Sequence, residues 1–320
     1  MIHLVRHYLL KSRLLYVACS LAILFFVYMR IWAITFFDAE RFKQVIEFFK
    51  DFEKFSAVPF AQLMTYTGRV AQAFNEPILI TIIIIWAISR GSDCVAGQLN
   101  RGTLEMLLGN PISRRRVYWV QALVNTTGTC LLASLAWTAM ALSVYSNTVT
   151  ETIEPPALEI PGTPFSIPLS FAEPETIEKP MSEFVDIHQF WPAITILFAM
   201  GFFVTGFAMM ISSFDRYRWR TVGICIAFVV IQQMMRILAM AKPEYNFLLN
   251  YTFFNPFDPE GLVHIYVNQP ELYWDFWLYR GDEIHRLSGL GCHLVLMGLG
   301  LLMYIIGDQV FTRRDLPAPV

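Results

Sequence analysis

Charge is scarce in this chain. Asp, Glu, Lys and Arg make up 16% of its 320 residues against 55% hydrophobic ones, whereas an ordinary soluble domain is about a quarter charged. The small net charge of −2, with the basic residues in short clusters beside apolar runs instead of one patch, excludes a nucleic-acid-binding surface. Cysteines are few and scattered. Cys19, Cys94, Cys130, Cys225 and Cys292 form no CxxC pair, which excludes both a disulfide framework and a zinc site. No G-x-x-x-x-G-K-[ST] loop is present to cradle nucleotide phosphates, and no H-E-x-x-H, G-x-S-x-G or close aspartate pair marks a membrane protease, esterase or prenyl-transferring enzyme. An integral-membrane enzyme of another kind stays as an alternative class. His3 and His7 lie one helical turn apart without further ligands, so they are expected at the interface and no metal is expected.

What the sequence has in abundance is long apolar runs. Six are long enough to cross about 30 Å of hydrocarbon: Leu14 to Phe37, Val70 to Ser89, Val117 to Val144, Trp191 to Ser212, Thr221 to Met240, and Leu287 to Phe311. The first is not read as a cleaved signal, because it continues well past Cys19 and Tyr16 is a poor fit to a lipoprotein signal. The fold class predicted is therefore all-α: a polytopic integral membrane protein of about six transmembrane helices, one domain over residues 1–320, with both termini on one side.

The connecting segments differ sharply in charge, and that asymmetry sets the orientation. Arg6, Lys11 and Arg13 in segment 1–13, Arg90 to Arg116, the Arg216, Arg218 and Arg220 cluster, and Arg313 with Arg314 define a basic, cytoplasmic side. The segment 145–190 carries Lys179 as its sole Lys or Arg among many acids, and its seven prolines deny it a continuous helix. It is expected outside, extended or loop-rich. Residues 38–56, with Phe42, Val45, Ile46, Phe49 and Phe52 between charges, read as an amphipathic helix on the outer interface. The external segment 241–286 is dense in aromatics, most of them expected in an interfacial belt, with an exit path for an amphipathic substrate as the alternative.

The most informative stretch is RGSDCVAGQLNRGTLEMLLGNPISRRR, residues 90–116, between the second and third runs. It is too polar to span. Val95, Leu99, Met106 and Leu107 recur at near-helical spacing, Gly102 interrupts them, and Gly109-Asn110-Pro111 stops the helix. The residues Gly91, Ser92, Asp93, Ala96, Gly97, Arg101, Gly102, Thr103, Leu104, Glu105, Leu107, Leu108, Pro111, Ile112, Ser113 and Arg114 resemble the signature of the type-2 ABC permease family. Gln98 stands where that family more often has an acid, and Phe311 to Leu316 is similar to the family's usual ending.

The resemblance implies a permease subunit of an ATP-binding cassette transporter in the plasma (inner) membrane, exporting a substrate. Such a chain has no ATPase site and binds no cofactor of its own. ATP and Mg would sit on separate ABC ATPase subunits, and a second permease copy or a paralogue would complete a dimer within membrane lipid. The segment after the second span would then be a coupling helix docked on the ATPase. Gly91, Ser92, Asp93, Gly97, Arg101, Gly102, Thr103, Glu105, Pro111 and Arg114 are its docking candidates, with Gly97 and Gly102 allowing close approach and Asp93 and Glu105 meeting basic residues of the partner. The alternative within the same family resemblance is an ATP-driven complex that acts mechanically on envelope partners through the outer loop.

Charges placed in hydrocarbon are costly and usually functional. Glu76 and Arg236 lie at similar predicted depth in the second and fifth runs, and an ion pair facing the translocation path is one expectation; two independent interfacial charges is the other. Gln232 and Asn125 are weaker candidates for the same path, since such groups also join helices. Arg30 is expected to snorkel to the outer interface.

Overall fold

The computed structural model describes residues 2–36, 65–109, 111–153, 157–159, 166–168, 175–280 and 283–315. The 38–56 amphipathic helix lies outside the described residues. Six helical stretches among them are long and apolar enough to cross a membrane: His3–Phe36, Tyr66–Ser92, Arg114–Ser146, Ile187–Phe214, Arg218–Ala241 and Gly289–Arg313. The chain is an all-α, multi-pass membrane protein.

The first helix, α1 (Ile2–Trp32), runs 31 residues, about 46 Å at 1.5 Å per residue. It outlasts the hydrocarbon, so residues 2–13 of the basic segment are not a separate tail but the first turns of this helix. The second span is broken. Helix α2 (Tyr66–Gln72) and a 3-10 turn (Ala73–Asn75) precede Glu76, whose extended backbone caps α3 (Pro77–Ser92) with Pro77 in its first turn. Proline fixes φ for a helix start and gives up no bond there. Two short helices follow, α4 (Ala96–Asn100) and α5 (Thr103–Leu108). Then comes α6 (Arg114–Ser146), whose N-cap Ser113 accepts from the Arg116 amide through its hydroxyl.

On the opposite face the chain forms strands β1 (Thr148–Ile153), β2 (Ala157–Glu159), β3 (Ser166–Pro168) and β4 (Glu175–Pro180). β1 pairs antiparallel with β4, Thr148 opposite Pro180, and β2 pairs with β3. The expectation of extended structure there is met by these ribbons. Helices α7 (Trp191–Phe214) and α8 (Arg218–Ala241) return across the membrane. A connection follows with α9 (Pro259–Asn268), α10 (Pro270–Tyr273) and the hairpin β5 (Trp277–Arg280) and β6 (Glu283–Leu287), and α11 (Gly289–Arg313) closes the chain.

One core joins α1, α3, α6 and α7 through Ile23, Ile83, Leu132, Ala136, Leu197 and Met200, all fully buried. The aromatics of 241–286 divide. Phe253, Phe254, Phe257 and Tyr273 pack into this core, while Tyr251, Trp274, Phe276 and Trp277 stay exposed, so the belt predicted from composition holds only half of them. Ring contacts across α7, α8 and the connection, Phe203 tilted against Phe253 at 5.3 Å and Phe207 stacked on Phe228 at 4.3 Å, help to hold the rest.

Helices α7 and α11 form the most extensive helix pair. Close approach depends on small residues, as it does wherever lipid removes the hydrophobic drive between helices. A Cβ at Gly206 would fall 2.7 Å from the Gly300 carbonyl oxygen, and one at Gly300 would fall 2.6 Å from the Phe202 ring. Gly206→Val is expected to destabilise the protein by about 1–3 kcal/mol through overpacking, read as a lower Tm in detergent. Gly223→Ala, where a Cβ meets open space, is expected to leave Tm unchanged or raise it slightly.

Candidate functional site

The segment 90–116 is rooted in the bundle by a buried polar network. Ser212 of α7 is its first anchor: the Ser212 hydroxyl accepts from the Val95 and Ala96 amides at 3.1 and 2.9 Å and donates to the Ser92 carbonyl at 3.1 Å. These amides open α4 and have no intrahelical acceptor, so one hydroxyl satisfies two orphan donors. Gly91 is pressed against Ala208 and the α7 backbone, and Gly97 against Asp93 and Arg218, with no room for a Cβ at either.

Asp93 is the second anchor. It is buried, yet both carboxylate oxygens are taken: Oδ2 by Lys11 of α1 at 2.8 Å and Oδ1 by Arg101 at 2.5 Å. Burial alone would push its carboxyl up, but the hydrogen bonds and charges of Lys11 and Arg101 outweigh burial and hold it below the ordinary aspartate range. Burial pushes the neighbouring Cys94 thiol up, leaving it inert. A third layer lies beside these: the Gln98 amide donates to the Tyr8 hydroxyl at 3.2 Å and to Gln121 Oε1 at 3.0 Å. Gln98, set apart above for standing where an acid is more usual, donates both bonds, which a carboxylate cannot do.

Arg90 and Asn125 form the fourth layer. Arg90 donates to Asn125 Oδ1 at 3.2 Å, Asn125 returns a bond to the Arg90 carbonyl at 3.4 Å, and Trp86 donates to the Asn125 carbonyl and to Thr129. Asn125 thus joins α3 to α6. Arg218 at the head of α8 donates to Ser89 and Ser92. At the chain's end Arg114 donates to the Arg314 carbonyl at 2.7 Å, Arg314 to the Ser213 and Asp215 carbonyls, and Arg115 to Asp308 at 2.8 Å.

Ten residues were singled out as docking candidates, and the structure divides them. Gly91, Ser92, Asp93 and Gly97 are interior, so the surface seen from solvent is carried by Arg101, Gly102, Thr103, Glu105, Pro111 and Arg114. Gly102 takes φ +67°, the left-handed region, which lets α4 turn into α5. Beyond that turn Leu104 is fully buried while Met106 is 78% exposed. Asp93 meets its cations within the chain, contrary to the expectation of a basic partner residue. The apolar stripe of the segment is likewise gripped by its own helices: Val95 and Leu104 beside Tyr118 and Met209, Leu107 against Leu4, Tyr8 and Val117.

The translocation-path candidates do not come together. Glu76 pairs with Arg30 at 2.8 Å, and Arg30 also donates to Gln72 at 3.1 Å, so Arg30 is bonded and does not simply snorkel. Arg236 lies over the Phe254 ring at 5.6 Å, and Gln232 accepts from the Phe253 amide at 3.0 Å. The Glu76–Arg236 pair is therefore corrected: similar depth did not mean facing sides. Sequence reasoning missed Tyr8, Lys11, Gln121, Ser212 and Arg218 as partners of the segment. Lys11, one of the cations just before the first apolar run, was the one available signal.

Six spans with a buried polar junction at one membrane face define a helical multi-pass membrane protein whose connecting segment is built into its bundle. Residues 8–154 match the family model described as ABC-2 family transporter protein, a region that holds the first three spans but for the opening residues of the first, and the whole of the 90–116 segment. That region is similar to the type-2 ABC permease family, whose members are membrane components that pair with ABC ATPase subunits. No curated protein matches it.

Removing the Asp93 carboxylate leaves Lys11 and Arg101 facing each other without a counterion. Asp93→Ala is expected to cost about 1–3 kcal/mol, less than a fully buried pair because both cations are partly solvated. A carboxyl with a depressed folded pKa adds stability above its unfolded value and loses it as pH falls through the folded one. Wild-type Tm should therefore drop more steeply than that of Asp93→Ala as pH is lowered below about 4.

Proposed function

We propose that this chain is the membrane-spanning subunit of an ABC exporter in the plasma membrane, with both termini cytoplasmic and energy supplied by Mg-ATP on separate ATPase subunits. One observation carries the reading. Within the matched region, the ridge Arg101 to Pro111 turns Met106 and its polar neighbours outward from a membrane face ringed by Arg6, Arg13, Arg115, Arg116, Arg216 and Arg220. That face collects the basic residues that orient a membrane protein toward the cytoplasm, and a partner groove can grip Met106 without disturbing the interior.

The mechanism follows from the roots of the ridge. Closure of the ATPases would push α5, whose Leu104 is seated beside α6 and α7 and whose Leu107 is seated against α1 and α6, and the push would pass through Ser212 to α7 and through Asp93 and Lys11 to α1. A second copy or a paralogue would complete the pathway. In support, α8 buries few of its residues and offers Ile224, Ile226, Val230, Ile231, Met234 and Leu238 outward. An apolar crevice of about 440 Å³ between α3 and α8, lined by Ile84, Ile88, Val222 and Val229, gives a dimer a wall to share. The substrate class is open, and the mixed aromatics of the opposite face suit an amphipathic one.

Affinity purification of the tagged chain from native membranes in mild detergent tests this. An ABC ATPase should co-purify, and Met106→Glu should lose it while the permease keeps its Tm within a few degrees, since Met106 is 78% exposed; Gly102→Trp should lose it too, with a lowered Tm because position 102 takes φ +67°. Purification of the folded wild-type chain without any nucleotide-binding partner would overturn the assignment.

A further inference from the structure

The membrane face opposite the termini holds a cavity of about 290 Å³ between α2 and α9, and the transport reading leaves it without a use. Its volume is that of several waters, at the small end of ligand pockets. Ala71, Val263 and Val267 give it an apolar wall; Thr67, Asn268, His264 and Glu260 give it polar groups.

Each of those groups keeps at least one unspent acceptor. Thr67 already donates its hydroxyl proton to the Phe184 carbonyl at 3.4 Å, leaving oxygen lone pairs. Asn268 donates through its amide nitrogen to the His264 carbonyl at 3.0 Å, leaving its amide oxygen. His264 is held neutral, its pKa lowered by burial and then by Arg286, with Asp258 opposing, so one ring nitrogen can accept. Glu260 is 2% exposed and its Oε1 has no hydrogen-bond partner. A buried polar atom left so is costly and calls for a partner.

The charges that act on Glu260, those of Asp258 and Arg30, are already matched. Asp258 is held by Arg286 at 2.9 Å and Arg30 by Glu76 at 2.8 Å. The Arg69 guanidinium of α2 lies over the Tyr66 ring at 4.9 Å. Among the described residues that line the cavity there is no lysine or arginine, so nothing there favours an anion. Nor do three or more His, Cys, Asp or Glu converge as a metal site among the described residues.

We propose that this cavity binds a small organic cation of the primary-ammonium class, its ammonium paired with the Glu260 carboxylate and its aliphatic part against Ala71, Val263 and Val267. The ammonium donates three hydrogen bonds, and the cavity offers acceptors at Glu260, Asn268, Thr67 and His264. Without the ligand, burial and then Asp258, with Arg30 opposing, push the Glu260 carboxyl up to about 8, so at neutral pH a proton holds the place of the cation. Binding exchanges that proton for the ammonium. The cation's source is either a soluble amine or the headgroup of an aminophospholipid.

The test uses the full chain in phosphatidylcholine nanodiscs, titrated with ethanolamine hydrochloride by calorimetry at pH 8.5. Saturable binding is expected, weakened at least tenfold in Glu260→Gln and in Val267→Trp, which fills the cavity from its rim without touching the carboxylate. In the wild type Kd should rise by roughly tenfold for each pH unit below about 8, as proton competition requires. Replacing half of the lipid with phosphatidylethanolamine distinguishes the sources: suppressed ethanolamine binding assigns the site to the headgroup, and unchanged binding assigns it to a soluble amine. Absence of saturable binding, or equal affinity in both folded variants, overturns the proposal. Either result leaves the permease assignment untouched, because the readout needs no ATPase.

Discussion

A carboxylate taken out of water has to find its counter-charges, and Asp93 finds them from two directions at once. Lys11 comes from α1 and Arg101 from eight residues further along the same connection. Much of the local architecture follows from holding both. α1 must continue as a helix beyond the apolar run to Lys11 for that side chain to reach the junction, and the connection must fold back on itself, through α4 and the left-handed Gly102, for Arg101 to return. The fold-back leaves the first amides of α4 without acceptors, and Ser212 of α7 meets them. A neutral apolar side chain at position 93 would remove the reason for each of these features.

The opposite face solves the same electrostatic problem by local pairing. Arg30 and Glu76 meet where the second span breaks, and Asp258 and Arg286 meet where the last connection re-enters the bundle. The break at Pro77 is part of that solution. It gives Glu76 an extended backbone and swings its carboxylate toward α1 instead of leaving it inside a continuous helix. Among the described residues Glu260 is the buried acid left over once these pairs are made, and on the proposed reading the cavity beside it is the volume that its pairing would occupy.

The six spans, the basic face and the 90–116 segment were all legible in the sequence, because hydropathy and charge asymmetry are read by solvent and membrane one segment at a time. What escaped was azimuth. Counting residues from the end of an apolar run gives the depth of Glu76 or Arg236 but not the side of the helix it faces, and in the structure the two look toward different neighbours, Arg30 and Phe254. The same blindness hid the partners of Asp93. Its motif neighbourhood invited a reading outward, whereas Lys11, more than 80 positions away, could be matched to it only once α1 was packed beside α3. The start of α1 was misplaced for a related reason: a basic stretch reads as leaving the membrane, and it does leave it, but as helix.

The buried network also bears on how a push on the connection would be shared. Lys11, Asn125 and Ser212 tie the segment to α1, α6 and α7, and Arg90 sits on α3 itself, so these four helices are cross-linked at one membrane face by groups that cannot part without exposing unsatisfied polar atoms. α8 is held differently. Its links to α3 at that face are bonds of 3.2–3.4 Å from Arg218 to Ser89 and Ser92, and above them the two helices are separated by the α3–α8 crevice. On the proposed reading, force applied at the ridge moves the cross-linked four as one body, and relative displacement concentrates where the cross-links are weakest, along the crevice between α3 and α8. A pathway that opens there needs no rearrangement of the core of α1, α3, α6 and α7, which is the costliest part of the molecule to repack.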